Sequence, residues 1–106
     1  MICRTWQGWT TKTNADAYES YLLRELLPHV ERELSSRGFR GFQVMRREDG
    51  KEVKFETMLW FDSIESVQSF AGKNYETPVI SEKAQKLLTR YADRCEHYDV
   101  SGFRWP

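Results

Sequence analysis

The sequence has few cysteines and histidines, no long apolar run and no excess of charge of either sign. Its two cysteines, Cys3 and Cys95, lie far apart without a CxxC pattern, which argues against zinc and redox motifs and favours free, buried thiols. Sixteen basic and sixteen acidic residues cancel, so we expect no nucleic-acid partner, because such partners need positive charge. No segment reaches membrane-spanning length and residues 1–9 lack a signal-peptide core, so we expect a cytoplasmic protein that does not contact membranes.

Aromatic residues are plentiful by contrast. A chain of 106 residues is expected to form a single domain, residues 1–106, with a modest core. Its four Trp, five Tyr and six Phe are more than such a core needs. We therefore expect some of them to line a ligand cavity or a subunit interface.

The strongest local pattern lies in residues 53–72, which read as a strand followed directly by a helix. Asp62 is the predicted N-cap, with Glu65 completing an acidic capping box, and the helix ends at Gly72. Alternation divides the strand into an apolar face and a mixed face. The apolar face holds Val53, Phe55, Thr57, Leu59 and Phe61, and the mixed face holds Lys54, Glu56, Met58 and Trp60.

The rest of the chain alternates in the same way between strand and helix patterns. Further strands are predicted at residues 2–9, 39–48 and 95–100, and the Asp49-Gly50 pair predicts a hairpin between the second and third strands. One long amphipathic helix should kink at Leu27, before Pro28, and end at Gly38. A third helix should begin near Pro78 and continue to Ala92.

This order is typical of an α+β, ferredoxin-like split βαβ domain with a four-stranded antiparallel sheet. Helices can cover only one face of such a sheet, and the third strand carries apolar residues on the second face as well. A second copy of the chain is the simplest way to bury them. The sequence therefore predicts a homodimer whose sheets pack face to face.

Several stretches resemble the antibiotic biosynthesis monooxygenase-like family: RTWQGWT in the first strand, GFRGFQVMRRE in the second, LWFDS followed by FAG, and HYDV near the end. The resemblance extends over residues 4–100 and implies the dimeric α+β barrel fold. It also implies a cofactor-independent monooxygenase, without metal or flavin, that oxygenates a small aromatic or quinol-type substrate in a cavity between sheet and helices. The alternative is a non-catalytic domain that binds a small hydrophobic molecule or serves for dimerisation.

The resemblance assigns candidate roles to two titratable residues. Glu56 stands where the antibiotic-pathway enzymes carry an Asn; it is either a base or a carboxylate paired with Lys54 or an Arg. His97 is either a proton shuttle that can also bind a substrate oxygen, or a structural histidine. Gln7 stands where close relatives often have a His, which weakens the case for acid–base catalysis there.

Five further residues are predicted to contact the substrate. Trp60 occupies the position of the family's strand-three Trp, and Met58 is expected to line the cavity beside it. An arginine is needed to offset charge on a substrate oxygen. The sequence does not decide which face of the first strand lines the cavity. Tyr75 is either a lid residue or an ordinary loop aromatic. The complete predicted binding set is Trp60, Met58, Trp6, Arg4 and Tyr75.

Overall fold

The computed structural model describes all 106 residues and contains one antiparallel sheet of five strands. The strand order is β2-β3-β1-β4, and β5 also pairs with β1, so that β4 and β5 share the outer edge of β1. The strands are β1 (Ile2–Thr11), β2 (Phe39–Asp49), β3 (Glu52–Phe61), β4 (Leu88–Tyr91) and β5 (Glu96–Asp99). The helices are α1 (Ala15–Tyr21), α2 (Leu27–Leu34), α3 (Ile64–Ala71) and α4 (Glu82–Leu87).

The helices pack on one face of the sheet, which we call the covered face. Residues directly opposite each other in the ladders share a face, and the register pairs Arg4 with Leu59 and Trp6 with Thr57. The apolar face predicted for β3 is the covered face, since Val53, Phe55, Leu59 and Phe61 join helix residues in one buried core. The opposite side, the open face, carries the second set of β3 side chains. None of the helices is long and apolar enough to cross a membrane.

The predicted irregularity around Pro28 takes the form of a π-helical turn. Residues Leu22–Leu26 form this turn between α1 and α2, and Pro28 lies in the first turn of α2, directly after it. Gly38 follows the helix with φ of +98°, as a helix-terminating glycine does. Gly50, at φ +64°, forms the predicted hairpin turn between β2 and β3.

The prediction of a helix from Pro78 to Ala92 is wrong, and the sheet therefore has five strands where four were predicted. Only Glu82–Leu87 is helical, and Leu88–Tyr91 forms β4 along β1. The apolar spacing of this segment suits a helix, but the backbone of β1 offers unpaired groups at Gly8, and Leu88 packs directly against that glycine. Tertiary pairing thus overrides the local pattern.

The helix α3 begins one residue later than predicted. Its N-cap is Ser63, whose Oγ accepts a hydrogen bond from the Ser66 backbone N–H at 3.2 Å. Asp62 instead forms an ion pair with Arg40, with Oδ1 2.7 Å from Nε. The hydrogen bond and charge of that guanidinium lower the pKa of the Asp62 carboxyl. Asp62 therefore ties the end of β3 to the edge strand β2 and does not cap the helix.

Candidate functional site

A small cavity lies between the covered face and the helices. It offers about 60 Å³ to the centres of water-sized molecules, and 13 of its 17 lining residues are hydrophobic. The sheet contributes Arg4, Trp6 and Thr57, while residues 78–81 form the outer wall. The cavity holds a few waters at most and is smaller than typical ligand sites. The remaining wall consists of Tyr18, Tyr21, Leu22, Leu26, Leu27, Val30, Leu59, Phe70, Ala84 and Cys95.

Arg4 is the charged residue of this cavity, and it is only 3% exposed. Its Nη1 donates to the Tyr75 carbonyl and lies 3.1 Å from His97 Nε2, while Nη2 lies 3.4 Å from the Thr77 carbonyl. The guanidinium also lies 5.4 Å from the centre of the Phe70 ring.

No carboxylate neutralises the Arg4 guanidinium. It takes part in none of the six ion pairs of the structure, and its polar partners are two carbonyls and an imidazole. Burial lowers its pKa, yet arginine stays charged in proteins. A buried positive charge beside an apolar cavity and without an anion of its own is suited to bind the anionic oxygen of a ligand.

Three neighbours of Arg4 carry further reactive groups, and of these Cys95 lines the cavity while His97 and Tyr75 lie beside it. Burial, followed by the charge of Arg4, lowers the pKa of His97, and burial raises the pKa of the Cys95 thiol. When Arg4 donates to Nε2, that nitrogen is unprotonated and can accept a proton. The Tyr75 ring meets the His97 ring edge-on at 4.9 Å between centres. His97 and Tyr75 therefore lie together, as a pair, over Arg4.

Trp6 lies on the cavity wall in a fixed orientation. Its Nε1 donates to the Ala92 carbonyl at 2.8 Å, and its ring lies 5.7 Å from that of Tyr91. The hydrogen bond satisfies the one polar group of the indole, so that the rest of the ring presents an apolar surface to the cavity. The face of β1 that lines the cavity is thus the face of Arg4 and Trp6.

Three predicted site residues lie on the open face, away from this cavity. Glu56, Met58 and Trp60 alternate with the buried side chains of β3, and strand geometry directs them to the opposite side. The expectation that Met58 and Trp60 line a cavity between sheet and helices is therefore wrong. The partner of Glu56 also differs from the expectation, because its Oε1 accepts from Gln7 Nε2 at 3.0 Å and no Lys or Arg pairs with it.

The chain terminus adds to the aromatic surface around Trp60. Phe103 meets Trp60 edge-on at 6.2 Å and stacks on Trp105 at 5.7 Å, both distances being between ring centres. These rings, with Met1, Arg40, Gly41 and Phe42, enclose a surface pocket of about 320 Å³ on the open side. Phe103 and Trp105 remain 62% and 66% exposed.

The sequence signals for the missed cavity residues are weak but identifiable. Cys95 shares a strand face with His97, two residues later, so placing His97 at the site would also have placed Cys95 there. Tyr18 and Tyr21 belong to the apolar stripe of the first helix, which indicates burial without indicating a cavity. No group of three or more His, Cys, Asp or Glu side chains is arranged to hold a metal ion.

Comparison with solved structures identifies the fold. The chain superposes on a Bacillus cereus protein provisionally named antibiotic biosynthesis monooxygenase with a TM-score of 0.61 and 15% identity, over 99% of this chain and 97% of the other. A dimeric ferredoxin-like protein from an uncultured marine organism gives a TM-score of 0.66 at 12% identity, over 99% and 98% of the two chains. The ferredoxin-like fold predicted from the sequence is confirmed. At these identities the likeness concerns the fold alone.

Sequence comparison adds little to this assignment. No family model matches the chain. A stretch of 56 residues, 51% of this chain, is 32% identical to endo-1,4-beta-xylanase B of Humicola insolens and covers 16% of that protein. The chain thus spans less than a fifth of the length of this curated relative.

Proposed function

We propose that the protein binds a small aromatic molecule carrying an ionisable oxygen between the covered face and the helices, and oxygenates it without a cofactor. The observation that carries the proposal is Arg4, which is buried beside an apolar cavity without a carboxylate partner. The fold shared with the provisionally named monooxygenase of Bacillus cereus supports the same reaction class.

The residues around the cavity have distinct roles in this proposal. Arg4 binds the phenolate or enolate oxygen and stabilises its charge, and Trp6 forms an apolar wall that excludes water. Once the substrate oxygen has replaced His97 Nε2 as the partner of Arg4 Nη1, Nε2 is released from that hydrogen bond and accepts the substrate proton. The substrate anion then passes an electron to dioxygen. One oxygen atom of dioxygen becomes the oxygen of a new carbonyl at a ring CH₂ carbon. The other oxygen atom leaves as water with the two hydrogens of that CH₂ group.

Entry of such a substrate requires the cavity to expand. The outer wall is formed by residues 78–81, which have no helical or strand structure, and Val79 is 52% exposed. Outward displacement of this wall enlarges the cavity without disturbing the sheet. The wall is therefore the proposed route of entry.

Oxygen consumption tests the proposal directly. Purified protein is incubated in air with a panel of anthrones and quinols, and oxygen uptake is compared with a buffer control. We expect uptake above the control, and the Arg4→Met variant should lower it about 100-fold because the oxyanion loses its counter-charge. Arg32→Met, which removes an exposed arginine on α2, is the matched control and should change nothing. Uptake no faster than buffer across the panel contradicts the proposal.

The small size of the cavity favours a second candidate, a non-catalytic domain that binds a small hydrophobic molecule or serves for dimerisation. A volume near 60 Å³ lies well below the range typical of ligand sites. Titration with the same panel, monitored by tryptophan fluorescence, distinguishes the monooxygenase from the non-catalytic domain. Saturable binding without oxygen uptake supports ligand binding, and the absence of both leaves dimerisation.

We further propose that the chain forms a homodimer through the open face. Met58 and Trp60 are half-buried there in the single chain, and the marine structural neighbour is described as dimeric. Sedimentation at micromolar concentration should give twice the chain mass of 12.6 kDa. Met58→Glu places an unpaired charge in this interface and should yield the monomer. A wild-type monomer at that concentration contradicts the proposal.

A further inference from the structure

An irregular stretch, residues 72–81, lies over the cavity, and we call it the covering segment. Arg4 bonds to two of its carbonyls, those of Tyr75 and Thr77. The Cys95 N–H donates to the Glu76 carbonyl at 2.8 Å, and the Tyr21 hydroxyl lies 2.6 Å from Ser81 Oγ. Tyr75 and Ile80 of this segment also pack against the core, and the Arg4 guanidinium makes two of its hydrogen bonds.

We propose that Arg4 and His97 form a pH-sensitive latch, in which neutral His97 keeps Arg4 bonded to the covering segment and protonated His97 releases the segment and opens the cavity. The proposal concerns access to the cavity and does not depend on what the cavity binds.

The geometry of the contact supplies the reason. Arg4 Nη1 lies 3.1 Å from His97 Nε2, and arginine can only donate, so Nε2 must be the acceptor. Protonation turns Nε2 into a donor and places two positive charges at that distance. The hydrogen bond is then lost and replaced by repulsion within a buried environment. Arg4 must move, and its bonds to the Tyr75 and Thr77 carbonyls are lost with it.

The other groups around His97 do not reverse this effect. Glu76 of the covering segment favours the protonated form, but it ranks behind burial and behind Arg4 in its influence on the pKa of His97. The Tyr75 ring packs edge-on against the imidazole. On the stretch of chain that carries His97, burial raises the pKa of the Cys95 thiol. Arg94 and Glu96 line a surface pocket together with His97.

The direction of the pH effect follows from proton linkage. The closed form holds the pKa of His97 below its ordinary value of about 6.5, whereas release of Arg4 and exposure return it toward that value. The open form therefore binds the proton more tightly, and opening becomes more favourable as the pH falls below about 6.5. Above that pH His97 is neutral in both forms, and the closed form keeps its full stability relative to the open form.

The Cys95 thiol reports opening, because it lines the cavity and is only 3% exposed. A Cys3→Ala background leaves Cys95 as the single thiol. Its reaction with 4,4′-dithiodipyridine is measured at pH 7.5 and 5.0, and each rate is divided by that of the urea-unfolded chain at the same pH. We expect the ratio to rise severalfold at pH 5.0, because the open form binds the His97 proton more tightly than the closed form does.

The matched control adds His97→Gln to the same background. A glutamine carbonyl can accept the bond from Arg4 but cannot take up a proton, so the ratio should change less than about twofold. An equal rise in both proteins, or no rise in the first, overturns the latch. Hydrogen exchange of the Cys95 backbone amide, which donates to the Glu76 carbonyl, also reports opening. Comparing wild type with His97→Gln at both pH values tests the latch without altering Cys3.

Discussion

The two faces of β3 differ in what surrounds them, although they belong to the same ten residues. On the covered face Val53, Phe55 and Phe61 are no more than 3% exposed, beneath the helices. On the open face Glu56, Met58 and Trp60 are all half-buried. A single strand thus contributes one set of side chains to the core of the chain. The other set, which includes Trp60, forms a half-buried surface on the open face.

The same division separates two kinds of chemistry. Arg4 and Trp6 lie on the covered face, which contains the cavity, whereas Glu56 lies across the sheet and bonds to Gln7. A strand's alternation assigns residues to faces but does not say which face holds the site. The two residues predicted as candidates for proton transfer, Glu56 and His97, lie on opposite faces of the sheet.

The largest expected effect distinguishes the faces by stability. Phe61→Ala removes a fully buried ring that packs against Phe39 and Phe70, so unfolding in urea should show a loss of about 3–5 kcal/mol. Trp60→Ala, one residue earlier, removes a half-buried ring and should cost about 1–2 kcal/mol in the monomeric Met58→Glu background. Equal losses in that background would show that the open face is already part of the core of the single chain.

The second expected effect distinguishes the faces by activity. With a substrate identified from the anthrone and quinol panel, His97→Gln should lower oxygen uptake about 100-fold at pH 7.5, because Gln cannot accept the proton. Glu56→Gln keeps the shape and removes the charge on the open face, so its rate should stay within about twofold of wild type. A large loss of oxygen uptake in Glu56→Gln would indicate that the reaction takes place on the open face.

The fold was predictable where periodicity and turn chemistry agree with the tertiary structure. Alternation in β3, the glycines at φ +98° and +64° and the proline at the start of α2 were all read correctly from local chemistry. The strand β4 was missed because its apolar spacing suits a helix, and only the free edge of β1 makes it a strand. Asp62 was assigned as an N-cap because the sequence does not show that Arg40 of the neighbouring strand β2 forms an ion pair with it.

The candidate site was less predictable for a physical reason. Arg4 and Trp6 do line one cavity, and Tyr75 and His97 contact Arg4 beside it. However, 71 residues separate Arg4 from Tyr75 in the chain. The absence of a carboxylate beside Arg4 is a property of packing, which no local pattern contains. The division of roles between Glu56 and His97 likewise depends on which face the helices cover.

The smallest expected effect uses two glycines, one on each face. A β-carbon at Gly8 would lie 3.0 Å from Leu88 Cδ2 on the covered face, whereas one at Gly41 would meet nothing within 4 Å. Gly8→Ala should therefore cost about 1 kcal/mol in urea unfolding, because the Leu88 side chain must give way in a packed environment.

Gly41→Ala should be neutral or stabilise the monomeric Met58→Glu background by about 0.5 kcal/mol, since alanine restricts the unfolded chain more than glycine does. In the wild-type background the same change also reports on the open face. If a second copy packs against β2 there, the added methyl group should weaken self-association in sedimentation while monomer stability is kept. Unchanged association would place Gly41 outside the interface and confine the contact to the region around Met58, because a methyl group within a close-packed interface is not tolerated without a shift of its neighbours.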